Sequence, residues 1–351
     1  MTYTQKYGIN IGSWLCWGER NLEERAQWFT DTDIHRLRDI GFDHLRFCLK
    51  DVYFWDEENV LNPRAIEILR QGIDTTLASG MHASVNLHHL RVHEFNNLEE
   101  PPLYTDPVAQ QTFVHYWQDI QKSLTDYSTD VLALEFLNEP VARDNLRWNH
   151  VWQQAYAVLR RREPERTLIL GSNLWNQTRT FADLAVPNND PNMILDFHFY
   201  EPLLVTHYNS YVPWTKVPWK VNYPGRPLNM PPWAFGFFSN LKPKLNPIHR
   251  KDVWRENTLF TRKTISERFM KAMVVAKKFN LPLNLGEFGL WQNSNTESGY
   301  RWLKDVLSVC KELGITWTVW SYGKGEDGYG IINAAGEELP KVALLKEAMK
   351  Q

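Results

Sequence analysis

Residues 131–140 read VLALEFLNEP: aliphatic side chains carry one acid in their midst, and the run ends on Asn138, Glu139 and Pro140. A short apolar run of this kind, stopped by a proline that disfavours helix before it, reads as a buried strand (131–139). Its end delivers an amide and a carboxylate. Seven other runs share this character: YGINIGSWL (7–15), DHLRFCL (43–49), HASVNLHH (82–89), TLILG (167–171), MILDFHFY (193–200), LPLNLGEFG (281–289) and ITWTVWSY (315–322).

Helical segments lie between these strands, and their ends are readable. TDTDIHRLRDIG carries capping residues Thr30 and Asp31 and stops at Gly41, and NPRAIEILRQGIDTTLASG starts at Asn62 and Pro63 and stops at Gly80. Asp106 and Pro107 open a third helix, Ser294 and Glu297 suggest a capping box for another that ends at Gly314, and LPKVALLKEAMK supplies an eighth. Strand and helix thus alternate eight times in 351 residues, more than the roughly 250 of a plain barrel. The favoured fold is α/β, a (β/α)8 TIM barrel forming a single domain over 1–351, with a doubly wound open sheet as the alternative.

The excess length is local. Residues 201–258, after the sixth strand, hold 9 of the 19 prolines together with Trp214, Trp219, Trp233, Trp254, Tyr208, Tyr211 and Tyr223. A flexible linker is rich in Gly and Ser and poor in aromatics, so this stretch reads as an ordered insertion forming part of a cleft at the C-terminal face of the barrel.

Composition bounds the function. With 43% hydrophobic and 13% aromatic residues the chain can bury a large core. A formal charge of −2 with interspersed signs argues against nucleic acid as partner, and the lack of any run of roughly 18 apolar residues argues against a membrane span. The start, MTYTQKYGIN, lacks a basic stretch followed by an apolar core, which points to a cytoplasmic protein, or to a secreted one whose leader has been removed. Cys16, Cys48 and Cys310 are odd in number and far apart, so no disulfide framework is expected. Sixteen tryptophans either fill a core or offer flat platforms to a sugar-like ligand.

In a barrel the C-terminal ends of all strands converge. Strand two brings Arg46, strand three His88 and His89, strand four Asn138 and Glu139, strand six His198 and Tyr200, strand seven Glu287 and strand eight Trp320. Strands four and seven face each other, so Glu139 and Glu287 can meet, and paired carboxylates are the equipment of glycosidic bond cleavage. A gap of about 5–5.5 Å between them means retention and one of about 6.5–9.5 Å inversion.

These motifs, FLNEP, LGEFG, HLRF, NLHH, FHFYEP and the GINIG and WTVWSYG ends, resemble glycoside hydrolase family 5, the cellulase-type family of clan A. The resemblance implies that Glu139 is the general acid and base and Glu287 the nucleophile. It implies substrate-binding or supporting duties for Arg46 at the nucleophile, His88 and Asn138 at the sugar, His198 near the acid and base, Tyr200 near the nucleophile and Trp320 as a stacking platform, with Asn10 structural. Independently of the resemblance, Glu139 needs a raised pKa to act as acid, whereas Glu287 needs cationic and hydroxyl partners to stay ionised. The implied activity is retaining hydrolysis of a β-1,4-linked glucan or its oligosaccharides, endoglucanase-like, with no cofactor and no metal. An exo-acting or mannan-type β-glycosidase of the same family is the alternative.

Two departures bear on the substrate. LRVHEF follows NLHH, placing Arg91, His93 and Glu94 toward the non-reducing side, and Ser321 follows Trp320 where relatives often carry an amide or acid. Rival chemistries are weaker. His89 and His93 have helical metal-ligand spacing, but strand one lacks the His-x-His of metal-dependent barrel hydrolases. A non-catalytic carbohydrate-binding protein predicts one of the two glutamates replaced, and both are present. GKGEDG (323–328) fits G-x-G-x-x-G without a helix after it and reads as a turn.

Overall fold

The computed structural model describes residues 3–96, 99–240 and 253–350, with backbone only for 238–240, 253 and 254. Eight parallel strands close into a barrel in chain order, β1 pairing with β8. They are β1 Tyr7–Ile11, β2 His44–Lys50, β3 His82–His89, β4 Leu132–Glu135, β5 Leu168–Gly171, β6 Met193–His198, β7 Leu283–Glu287 and β8 Thr316–Val319. Around them pack α1 Asp31–Ile40, α2 Pro63–Ala78, α3 Pro107–Leu124, α4 Asn145–Arg162, α5 Arg262–Phe279, α6 Glu297–Leu313 and α7 Lys341–Met349. Among the described residues no helix is long and apolar enough to cross a membrane.

Strand period sets the two sides of the sheet. Leu45, Phe47, Val85, Leu132, Leu134, Leu195, Phe197, Leu285 and Val319 join the main apolar core between sheet and helices. Their neighbours in sequence point to the axis: Asn10, Arg46, Asn86, Glu135, Asp196 and Asn284 are all buried there. The register sets Asn10 beside Arg46, Asn86 beside Glu135 and Asp196 beside Asn284. A smaller apolar cluster of Tyr3, Ala133, Ile169 and Ile194 is separate from that main core.

Helix ends follow the expected chemistry for α1, α2 and α3: Thr30 and Asp33 form a capping box, and Asn62 and Asp106 accept hydrogen bonds from the N–H groups of Arg64 and Val108. Four expectations need correction. The cap of α6 is Thr296, whose Oγ1 accepts from Gly299 N–H at 3.2 Å, because Ser294 Oγ is engaged by Tyr208 N–H. Strand one ends at Ile11, and Gly12–Leu15 forms a helical turn that buries Trp14. β4 ends at Glu135, since Glu139 turns the chain with φ 45°. LPKVALLKEAMK does form a helix, α7, but the eightfold alternation lacks a full helix between β5 and β6, where Leu174, Trp175 and Asn176 take left-handed φ values of 53°, 61° and 52° and only a 3-10 stretch, Thr178–Asp183, follows.

Of the 201–258 stretch, 241–252 and the Trp254 side chain lie outside the described residues. The rest contains a short helix, Leu203–Thr206, a 3-10 turn, Pro213–Thr215, and the helix Pro232–Asn240. Leu204, Trp214, Val217, Val221, Leu228 and Phe235 form an apolar cluster of their own, while Trp219 and Trp233 are exposed.

Candidate active site

Arg46 anchors the site at the axis of the barrel. Its Nε and Nη2 donate to the two oxygens of Glu135 at 2.6 Å each, Nη1 donates to Asn10 Oδ1 at 2.6 Å and Glu287 Oε1 at 2.9 Å, and Nη2 donates to Asn138 Oδ1 at 3.1 Å. All five guanidinium N–H groups are thereby used. Asn10 is held in turn by its amide donating to the carbonyls of Gly286, Thr318 and Val319, which fixes β1 against β7 and β8.

Glu139 and Glu287 meet across the barrel. A carboxylate oxygen of each and a ring nitrogen of His198 all lie within 4.8 Å of one another. His198 Nδ1 is 2.9 Å from Glu139 Oε1 and 3.6 Å from Glu287 Oε2, and its Nε2 lies 3.4 Å from Asp196 Oδ2. Burial alone would depress His198, but Glu287, Asp196 and Glu139 push it up to about 10, so it carries a proton at neutral pH and donates to Glu139. The Tyr200 hydroxyl donates to Glu287 Oε2 at 3.1 Å, and burial beside Glu287 keeps that phenol protonated. Glu287 has the expected partners, yet its shift runs opposite to expectation. Burial pushes its carboxyl up to about 7 against the pull of His198 and Arg46.

Asn138 spends its carbonyl oxygen on Arg46, and its Nδ2 is buried with no hydrogen-bond partner among the described residues. A donor left unsatisfied beside two acids is an unmet demand for a ligand oxygen. His88 lies stacked against Trp320, ring centroids 5.3 Å apart at 18°. Gly12 makes room for that indole: a Cβ there would sit 2.6 Å from its ring. Gly171 similarly admits Asn176, whose amide donates to Asp196 Oδ2 at 3.2 Å. His88, Asn138, Glu139, His198, Tyr200, Glu287 and Trp320 open on a cleft of about 890 Å³ walled by Trp17, Phe95, Trp175, Tyr211, Trp214 and Trp291.

A sequence model of the family Cellulase (glycosyl hydrolase family 5) matches residues 5–326. The chain belongs to glycosyl hydrolase family 5. It is similar to Endoglucanase C of Acetivibrio thermocellus, 25% identical over 326 residues covering 91% of each chain. It is also similar to Cellodextrinase A of Ruminococcus flavefaciens, 23% identical over 311 residues, 88% of this chain and 83% of that one. Among solved structures, a hyperthermophilic endo-beta-1,4-glucanase in complex with substrate superposes with a TM-score of 0.75 at 21% identity, covering 99% of this chain and 97% of the other. The protein is thus a glycosyl hydrolase built on a (β/α)8 barrel.

Within this family 5 chain, the loop after β3 does something other than expected. Arg91 pairs with Asp51 and donates to Tyr116, Glu94 pairs with His89, and His93 is buried, so none of the three lines the cleft. His89 and His93 do not share a helix: β3 ends at His89, and His93 bridges back to Leu90. His93 instead braces the turn that carries Glu139. Its Nε2 meets the Asn138 carbonyl at 3.2 Å, its Nδ1 accepts from Tyr104 Oη at 3.2 Å, and that oxygen accepts from Val141 N–H at 3.0 Å. Asn173 Oδ1 accepts from Ala142 N–H, and the Pro140 carbonyl accepts from Trp175 N–H. Glu139, at its left-handed φ, is therefore clamped on both sides.

The eighth strand's end is braced too. Ser321 donates to Asp327, which also accepts from Tyr329 and Gly330 N–H at 2.8 Å each, so 323–328 forms the expected turn. Lys341, buried at the start of α7, donates to the carbonyls of Tyr329 at 2.6 Å and Leu290 at 3.1 Å. Glu135, Asp196 and Tyr104 were not among the expected site residues, and His93 was expected at the cleft. Glu135 and Asp196 each carried a local signal, as an acid inside an otherwise apolar strand.

Two groups with metal-like geometry, Glu135–Asp196–His198 and Glu139–His198–Glu287, fall inside this network. Their donors are engaged by Arg46, Tyr200 and each other, and two adjacent cations, Arg46 and protonated His198, oppose a metal ion there.

Proposed function

We propose that the protein is a retaining endo-acting β-1,4-glucanase, with Glu287 as nucleophile and Glu139 as general acid and base. The observation that carries this reading is the approach of the two carboxylates within 4.8 Å at the floor of an open cleft. That narrow spacing supports direct attack by one of them, since it lies by the retaining gap of about 5–5.5 Å and short of the about 6.5–9.5 Å at which inverting enzymes seat their attacking water. Glu287 attacks the anomeric carbon as Glu139 protonates the departing glycosidic oxygen, and Glu139 then deprotonates the water that releases the glycosyl ester. The unpartnered Asn138 Nδ2 meets the 2-hydroxyl of the sugar being cleaved, where a hydrogen bond tightens as the oxocarbenium ion develops. His88 and Trp320 hold the same ring, and the names of the relatives support a β-glucan substrate.

Glu287→Ala is expected to abolish turnover and to regain part of it with azide, giving the inverted glycosyl azide; full activity in that variant would end the assignment. Glu139→Gln should slow poor leaving groups far more than good ones. A second reading, exo-acting release from cellodextrin or mannan ends, draws on the wall that Leu203, Tyr211 and Trp214 raise along one side of the cleft. Product sizes from β-1,4-glucan and mannan chains separate the two, since a spread of oligosaccharides at early times requires internal cleavage.

A further inference from the structure

Around His88 lies a cluster whose other two members, Cys16 and His89, hydrolysis does not use. Cys16, His88 and His89 each bring one donor atom to within 4.8 Å of the others, and all three are buried. The second imidazole is already aimed. His89 Nδ1 is held by Glu94 Oε2 at 2.9 Å, and its Nε2 is buried with no hydrogen-bond partner among the described residues. A carboxylate behind one ring nitrogen is the arrangement that orients metal-bound histidines, presenting the other nitrogen to the ion. Trp17 packs edge-on against His89 at 4.2 Å and lines the cleft together with His88, so the cluster abuts the substrate's space.

The donor set narrows the ligand. One thiolate and two imidazoles suit zinc-like ions and not the oxygen-seeking magnesium or calcium. With metal–sulfur and metal–nitrogen distances of about 2.3 and 2.0–2.1 Å, small side-chain rotations close the present spacing around an ion. Cys16 is held protonated by burial, with Cys48, Lys50, Arg25 and Glu94 around it, and His88 is held neutral by burial beside Arg46. Binding therefore breaks the Cys16 S–H bond, releases that proton to solvent and forms a metal–sulfur bond, with both imidazoles donating lone pairs.

We propose that Cys16, His88 and His89 form a site for a thiophilic divalent ion of the Zn²⁺ type, and that filling it inhibits the enzyme by taking His88 away from the sugar. The inhibitory half rests on the cleft being the glycan site; the binding half does not. Co²⁺ added to the full chain should give a thiolate-to-cobalt charge-transfer band that saturates at one equivalent and is displaced by Zn²⁺. Zn²⁺ should raise KM for cellodextrins about tenfold or more with kcat unchanged, and a chelator should reverse it. Cys16→Ser and His89→Gln should each weaken metal binding about 10–100-fold while metal-free activity is kept, and Cys310→Ser, which alters a buried thiol outside the cluster, should change nothing. Absence of the band in the wild-type chain, or a band and inhibition that persist in Cys16→Ser, would overturn the site. A saturated band with undiminished hydrolysis would overturn the inhibition, whereas a chain that binds cobalt but turns over no glycan would sink the glucanase reading and leave the site standing.

Discussion

The two faces of the barrel sheet are filled on opposite terms. Toward the helices, Leu134, Phe197 and Leu285 pack among other hydrocarbons, and each is replaceable in kind by anything of similar volume. Toward the axis, Arg46, Glu135, Asn10, Asp196 and His198 satisfy one another with named hydrogen bonds, and no member can leave without orphaning another. The difference teaches where stability ends and chemistry begins: one face supplies the bulk of the burial, and the other holds a polar constellation in place.

Substitutions on the two faces should break this contrast apart. Arg46→Met is expected to have the largest effect, lowering kcat by about 10³-fold or more, as loss of transition-state charge support does. It should also destabilise the fold by about 3–5 kcal/mol, because Glu135 is left buried and unpaired. Phe197→Ala should cost a similar 3–5 kcal/mol yet leave kcat per folded molecule within about twofold. Denaturant unfolding and kinetics on the same two samples test the pair; equal kinetic loss in both would erase the distinction.

Next comes the brace. His93→Phe keeps the volume but removes both hydrogen bonds beside Glu139, and about a 100-fold fall in kcat with KM little changed is expected from displacing the general acid we propose. A smaller effect concerns pH. In the proposed mechanism Glu287 must be ionised to attack, so with its carboxyl raised to about 7 the rate should climb as pH rises from 5 toward 7. A flat profile between pH 5 and 7 would contradict that.

The smallest effect is on stability. His198 is raised from 6.5 to about 10 in the fold, so the stability it confers is complete below pH 6.5 and is lost as pH rises through 10. Thermal melts of His198→Gln should lack that part of the alkaline decline. His93 and His207, depressed by burial to about 4 and about 3, act the other way, costing stability as pH falls below 6.5.

Much of this was legible in the sequence because period and punctuation are local. The strand runs gave the barrel, and their ends gave Glu139, Glu287, Arg46, Asn138, His198, Tyr200, His88 and Trp320, all of which the structure brings to one cleft or to the network beneath it. What stayed hidden depends on partners distant in sequence. His93 looked like a cleft residue because it follows NLHH, but its bonds reach Tyr104 and Asn138 through the turn of the loop. The direction of the Glu287 shift was hidden too, since how far burial outweighs two cations depends on depth. Ser294 mimicked a cap because its spacing to Glu297 is right; only the neighbouring Tyr208 amide reveals its other engagement.

One contact ties the end of the chain to the chemistry. With its ammonium inserted between the carbonyls of Leu290 and Tyr329, Lys341 makes the terminal helix a keystone for two rim loops that carry Trp291 and Tyr329. Trimming the chain before that lysine would thus act at the mouth of the enzyme, splaying its aromatic walls, and not merely fray a distant tail.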